Sequence, residues 1–165
     1  MDTIETEIGY FSPVTTPYGL KELRWQQTPF CDSHSQVNND QNVSRETVKQ
    51  LNKYLLGTLT QFYIPIDYSN WSFAMVRWFN ILCLVRYGRT ISYQGLAKKW
   101  GNRQATRAAG QACKRNPIPI IIPCHRVLHV NESISRYSGG SEEGPTAKEN
   151  LERKQWLINL EAENS

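Results

Sequence analysis

The pattern of apolar and polar positions divides the chain into a strand-rich beginning and a helix-rich remainder. Ile8-Gly9-Tyr10-Phe11-Ser12-Pro13-Val14 and Leu20-Lys21-Glu22-Leu23-Arg24-Trp25 flank the turn signal Pro17-Tyr18-Gly19, which predicts a hairpin or short meander. Residues 31–42, rich in Asp, Ser, Asn and Gln, read as a loop. Ser44 with Thr47 marks a helix start, and Val48, Leu51 and Leu55 at helical spacing predict an amphipathic helix ending near Gly57. Phe62-Tyr63-Ile64-Pro65-Ile66-Asp67 is kept extended by its proline and marks a domain boundary, giving domains 1–66 and 67–165.

Beyond the boundary the period becomes helical. Phe73 to Arg86 is apolar on most sides, which predicts a buried helix capped by Asn70 or Ser72 and closed by Tyr87-Gly88. Ser92 caps a short helix from Tyr93 to Trp100 that Gly101 stops. Asn102 caps a second, Arg103 to Arg115, that Pro117 ends. The two read as a helix-turn-helix. Val127 to Ile134 reads as a turn or short hairpin, and Arg136-Tyr137-Ser138-Gly139-Gly140 as a loop able to turn backbone N–H groups toward a ligand. After a polar, acidic stretch from Ser141 to Asn150, a final helix runs from Pro145 to about Ala162. Glu149 and Arg153 pair on it at i, i+4, and Leu151, Trp156, Leu157 and Leu160 form its buried side. The fold class expected is α+β: a small structural N-terminal domain, then a mainly helical one.

Composition adds bounds. At 165 residues the chain suits one ordinary domain or two small ones. No apolar run reaches the roughly 18 residues of a membrane span, and the acidic start is no signal peptide, so an intracellular protein is expected, cytoplasmic or nuclear. Cys31, Cys83, Cys113 and Cys124 show no framework spacing and read as free thiols. Cys31 and His34 resemble half a metal site, but two further ligands are not evident and a solvated loop is the better reading. No metal or cofactor is expected.

Charge is unevenly distributed along the chain. The net charge of +4 is segregated: residues 68–131 hold ten basic residues and no Asp or Glu, whereas the segments before and after are each net −3. A 64-residue stretch without an acid is what a polyanion-binding surface looks like. The second helix of the pair is poor in side chains able to read base edges. Ala105, Thr106, Ala108, Ala109, Gly110 and Ala112 suit close approach in a narrow groove, with Arg103 and Arg107 beside them. That favours the minor groove and contact with backbone rather than sequence. A tight helix–helix contact would explain the alanines equally well, but not the arginines.

The candidate chemistry sits in Asn116-Pro117-Ile118-Pro119-Ile120-Ile121-Ile122-Pro123-Cys124-His125-Arg126-Val127. Three prolines predict a stiff, buried, extended segment. At its end a thiol, an imidazole and a guanidinium stand in a row, a combination that lowers a thiol's pKa and makes Cys124 a candidate nucleophile. An inert core cysteine is the alternative on residue types alone.

The order Pro-Cys-His-Arg-Val behind Asn-Pro-Ile-Pro closely resembles the active-site loop of the alkylguanine-DNA alkyltransferases, and the likeness extends from about Phe62 to Glu161, with Thr16-Pro17-Tyr18-Gly19-Leu20 recognisable before it. The resemblance implies a ribonuclease H-like N-terminal domain and a winged-helix-like C-terminal one. It implies that Cys124 accepts an alkyl group from flipped-out 6-O-alkylguanine in a single irreversible turnover, and it leaves open 4-O-alkylthymine. By the same resemblance His125 deprotonates Cys124 through a water, Glu161 orients the imidazole, and Tyr93 donates to the ring nitrogen of the base. Arg107 fills the vacated stack, Asn116 ties the recognition helix to the active loop, and Tyr137 with Ser138 covers the base. Arg103, Ala105, Thr106, Gly110, Lys114, Arg115 and Arg126 would line the DNA. The partner implied is double-stranded DNA, bound by a monomer largely without sequence preference. Two other classes stay in view: a lesion sensor of the same fold, which would lack the thiol, and a cysteine hydrolase on Cys124 and His125, which would need an oxyanion hole.

Overall fold

The computed structural model describes residues 2–29, 40–139, 144 and 146–165. The chain divides into two compact units, Met1–Asn70 and Trp71–Ser165. The first holds a three-stranded antiparallel meander, β1 (Ile4–Thr6), β2 (Gly9–Thr16) and β3 (Gly19–Gln26), and helix α1 (Gln41–Leu55). Thr16 and Gly19 are paired across the expected turn. Phe11, Leu20, Leu23, Trp25, Leu51 and Tyr54 are its buried core. Asp40 caps α1, its Oδ1 accepting from the N–H groups of Asn42 and Val43 at 2.9 and 3.3 Å. Ser44 lies within the helix instead and donates to Asp2 Oδ2 at 2.7 Å. The helix therefore begins before the point that Ser44 suggests. The Cys31/His34 pair, and most of the loop predicted over 31–42, lie outside the described residues.

The unit boundary falls four residues after the expected one for a visible reason. Leu20 N–H donates to Pro65 O and Asp67 N–H to Leu20 O, at 2.8 and 2.9 Å, so the proline segment adds to β3 as a short parallel bridge. Thr16 Oγ1 also donates to Asp67 Oδ2 at 2.7 Å. Gly19, at φ 137°, is required here: a Cβ would stand 2.4 Å from Pro65 O.

The second unit contains α2 (Phe73–Cys83), β4 (Ile91–Ser92), α3 (Tyr93–Trp100), α4 (Thr106–Lys114), β5 (Val127–Leu128) and α5 (Lys148–Glu163). Ser72 caps α2 by accepting from Met75 N–H. Contrary to a wholly buried helix, α2 buries Trp78, Phe79, Ile81 and Leu82, while Phe73 is 85% exposed and Leu84, just past its end, 68%. Helix α3 starts at its Ser92 cap and stops at Gly101, which takes φ 102°. Asn102 Oδ1 caps the next segment through Gln104 N–H, but Arg103–Ala105 form a 3-10 turn before α4 proper. Of the turn or short hairpin expected over Val127 to Ile134, the turn lies between His129 and Ser133, while Val127-Leu128 pairs in parallel with β4, Ile91 opposite Val127 and Ser92 opposite Leu128. Residues 141–143 and Pro145, part of the polar, acidic stretch, lie outside the described residues, and α5 begins at Lys148. The stripe α5 buries is Asn150, Arg153, Lys154, Leu157 and Glu161. Leu151, Trp156 and Leu160 are only half-buried. Arg153 turns inward to Asn150 Oδ1 at 3.0 Å, and the i, i+4 ion pair that forms on α5 joins Lys148 and Glu152.

Candidate active site

The segment before Cys124 is buried as expected but is not extended. Ile122 N–H donates to Ile118 O and Ile121 N–H to Pro119 O, coiling the apolar run into successive turns. Ile120 takes φ 71°, a left-handed conformation that a β-branched residue adopts only when its surroundings enforce it. Its side chain is fully enclosed. Cys124–Arg126 continue as a 3-10 turn. Neighbours on such a turn diverge by roughly a third of a revolution. Thiol, imidazole and guanidinium therefore follow separate directions from adjacent residues.

Cys124 is buried beside Asn116, whose Nδ2 donates to Sγ at 3.1 Å and to Ile122 O at 2.7 Å. Asn116 Oδ1 accepts from Ile118 N–H at 3.0 Å. One amide at the end of α4 thus fixes the loop at both ends and touches the sulfur. His125 is wholly buried, and its Nε2 lies 2.8 Å from Glu161 Oε1. Glu161 also accepts from Gly88 N–H at 3.1 Å and from Arg126, through Nε at 2.9 and 3.1 Å and Nη2 at 2.8 Å. Arg126 Nη1 donates to Val85 O at 2.6 Å. Arg126 is therefore an interior partner of Glu161 and not a DNA-lining residue: its charge is already neutralised by a two-pronged ion pair.

The electrostatics correct one expectation. Burial pushes the Cys124 thiol up, against the lowering effects of the Asn116 hydrogen bond and of Lys154, so the resting thiol is not pre-ionised by its neighbours. Burial likewise lowers His125 and keeps it neutral, opposed by its bond to Glu161. For Glu161, burial alone would raise the carboxyl. The hydrogen bond and charge of His125 and the guanidinium of Arg126 overcome that and hold it well below the usual carboxylate range. A neutral imidazole backed by an anion is a base able to take a proton. It stands one residue from a buried sulfur that would then become a desolvated nucleophile.

A buried lysine that the sequence reading passed over completes the site. Lys154 donates Nζ to the carbonyls of Val127 and Arg136, and lies 5.9 and 5.8 Å from the ring centres of Tyr93 and Tyr137. Burial lowers its pKa, while the Cys124 and Cys113 thiols, as anions, act to raise it. The signal was available: Asn150, Arg153, Lys154, Leu157 and Glu161 share one face at helical spacing. Tyr93, the first residue of α3, is half-buried, Tyr137 is buried and Ser138 half-buried. The structure brings Cys124, His125, Glu161, Asn116, Tyr93 and Tyr137 into one region. Arg103, Arg107, Lys114 and Arg115 are instead solvent-exposed along the 3-10 turn and α4, with Ala105, Thr106 and Gly110 half-exposed among them. A Cβ at Gly110 would meet nothing within 4 Å. Among the described residues no group of His, Cys, Asp and Glu could hold a metal, and no helix is long and apolar enough to cross a membrane.

Comparison with known proteins points the same way. A family model, "6-O-methylguanine DNA methyltransferase, DNA binding domain", matches residues 75–163. The methylated-DNA–protein-cysteine methyltransferase of Mycobacterium tuberculosis is 33% identical over 159 residues, 96% of this chain and 90% of that protein. The constitutive protein of the same name from Bacillus subtilis is 33% identical over 160 residues, 88% of this chain and 96% of its own. The crystal structure of the M. tuberculosis OGT in complex with DNA superposes with a TM-score of 0.80 at 31% identity, covering 99% of this chain and 93% of that one. With a family match over more than half its length and one-third identity to relatives along nearly all of it, this chain belongs to the methylated-DNA–protein-cysteine methyltransferase family.

Proposed function

We propose that this protein repairs DNA by extruding 6-O-alkylguanine from the duplex and moving the alkyl group onto its own Cys124 in one irreversible turnover. The observation that carries the reading is the buried Cys124 sulfur held by Asn116 and followed directly by the His125–Glu161 pair. Because Nε2 of His125 is engaged by Glu161, the thiol proton arrives at Nδ1, through a water. The thiolate sulfur then bonds to the alkyl carbon, the carbon–oxygen bond breaks, and the electron pair leaves with the guanine, which receives a proton from the Tyr93 hydroxyl at its ring nitrogen. The product thioether has no good leaving group, so the protein is consumed. Extrusion costs a few kcal/mol; Arg107, entering the stack, offsets part of it, while Tyr137 and Ser138 cover the base. Intact-mass analysis after incubation with a duplex carrying one 6-O-methylguanine tests this: one added methyl per protein, mapped to Cys124, is the expected result, and an unchanged mass despite tight binding to the lesion would favour the sensor reading.

Lys154 supplies the countercharge. Glu161 and Arg126 neutralise each other, whereas the Lys154 ammonium is met by two neutral carbonyls. Its positive charge therefore favours the Cys124 anion. Lys154→Met should push the thiol pKa further up and slow its reaction with iodoacetamide at a fixed pH near neutrality several-fold, on the order of tenfold. An unshifted pH–rate profile would remove Lys154 from this role.

Helices α3 and α4 act as the helix-turn-helix, with Arg103, Arg107, Lys114 and Arg115 on phosphates and Ala105, Thr106 and Gly110 against the minor groove, bound by a monomer without sequence preference. The open space above Gly110 gives a clean test. Gly110→Leu replaces a poor helix former at a position where an added Cβ meets nothing within 4 Å, so thermal stability should hold or rise. Affinity for duplex DNA should nevertheless fall by about tenfold or more, one lost close contact of roughly 1.4 kcal/mol. Unchanged affinity would move the DNA to another surface. The meander and α1 of the first unit, read as ribonuclease H-like, serve a structural role.

A further inference from the structure

We infer that His129 is a positioning residue for Tyr93: its imidazole, braced by Ser135, fixes the direction from which the tyrosine hydroxyl meets an extruded base. The inference rests on the alkyl-transfer reading above and assigns a role to a residue which that reading does not use.

The placement follows from the two-residue parallel ladder. Ser92 stands opposite Leu128, so the next residues of the two segments, Tyr93 and His129, emerge side by side. Their ring centres are 5.3 Å apart at 56°, a tilted contact of the kind aromatic pairs favour. Tyr93 is only half-buried, at the first position of α3, where the Ser92 cap fixes its backbone and leaves its side chain to its neighbours. Lys154 Nζ is one neighbour, from the interior; His129 is the other, from the solvent side.

An exposed imidazole samples several rotamers unless something holds it. Here Ser135 Oγ lies 2.6 Å from His129 Nε2. The hydroxyl is itself presented by a closed turn. His129 N–H donates to Ser133 O at 3.4 Å, Glu132 N–H donates to His129 O at 2.9 Å, and Asn131 Oδ1 accepts from both the N–H and the hydroxyl of Ser133. Glu132 takes φ 60° to close it. The chain leaving this turn gives Arg136 O to Lys154 and then Tyr137 and Ser138, the residues assigned to cover the base. One brace therefore joins the base-recognition tyrosine to its cover. Donation to a ring nitrogen is strongly directional, and a misplaced donor slows the reaction more than it weakens binding.

The test uses the full chain and a duplex carrying one 6-O-methylguanine. Single-turnover methyl transfer, followed across protein concentrations, separates the limiting rate from the affinity for DNA, and iodoacetamide labelling of Cys124 reports on the thiol independently of the base. For His129→Ala the limiting rate should fall about tenfold, the order expected from losing an aromatic contact and the orientation it fixes. Affinity and labelling should stay within about twofold, since the thiol and the phosphate contacts are untouched. His129→Phe, which keeps the ring but not the bond to Ser135, and Ser135→Ala, which keeps the imidazole and loses the same bond, should both lie between His129→Ala and the parent. An unchanged limiting rate in His129→Ala would overturn the inference. So would a loss confined to affinity, which would make His129 a DNA contact, or labelling that falls in step with transfer. If the unaltered chain transfers no methyl at all, the functional reading fails instead.

Discussion

Cys124→Ser is expected to abolish methyl uptake, with no mass gain after prolonged incubation with methylated duplex and DNA affinity within about twofold of the parent. The hydroxyl fits where the thiol sits and can still accept from Asn116 Nδ2, so the fold and the exposed basic face should be undisturbed. The loss is chemical. Even with burial pushing it up, the Cys124 thiol is a far stronger acid than an alcohol, and its thiolate is intrinsically very nucleophilic, whereas a serine hydroxyl is a weak nucleophile. His125 can draw a proton from the former and not usefully from the latter. Transfer should fall by three orders of magnitude or more, which is about 4 kcal/mol on the barrier. A methyl found on another residue, Cys113 in the same electrostatic neighbourhood being the obvious one, would displace Cys124 as acceptor.

Glu161→Gln is the second large effect, and it acts on the fold. The carboxylate is the partner of a buried guanidinium and a buried imidazole at once. Its removal leaves the Arg126 charge inside without a counterion, a change that costs about 3–5 kcal/mol. The urea midpoint should fall accordingly. The same ion pair sets an acid limit. Glu161 is held below the ordinary carboxylate value of about 4.3, so the unfolded chain takes up its proton first as pH falls. Its contribution is present in full above that value and is lost progressively below it. Urea unfolding from pH 7 down to 3 should show the parent losing stability faster than Glu161→Gln below about pH 5. Parallel curves would mean that the carboxylate is not held low.

Much of this was legible in the residues alone, for reasons that differ from place to place. Ser92 and Gly101 bracket α3 because capping is local chemistry, and a cap side chain needs only its own neighbours. Cys124 and His125 announce themselves by adjacency. Arg126 misled because sequence places a charge in a row but not the direction it leaves the chain; a 3-10 turn sends it inward to Glu161, 35 residues on. The proline-rich run was rightly buried and wrongly straight, since prolines forbid a helix without choosing between a strand and successive turns. On α5 the apolar residues drew the eye, yet the buried stripe is mostly polar. Asn150, Arg153, Lys154, Leu157 and Glu161 share one face at helical spacing, but polar residue types hide a buried stripe from a reading that looks for apolar ones.

The dependence of the site on α5 also has a temporal side. Asn116, eight residues from Cys124, can reach the sulfur as soon as the loop closes, but the carboxylate behind His125 comes 36 residues after the imidazole and bridges back 73 to Gly88. Contacts so far apart along the chain form late, because loop closure must precede them. A nascent or locally opened chain therefore carries a cysteine and an imidazole without the carboxylate that holds the imidazole and without the lysine on α5. The proposed site is therefore complete only once the last helix has docked, which makes the tail of the chain a condition for the chemistry at its middle.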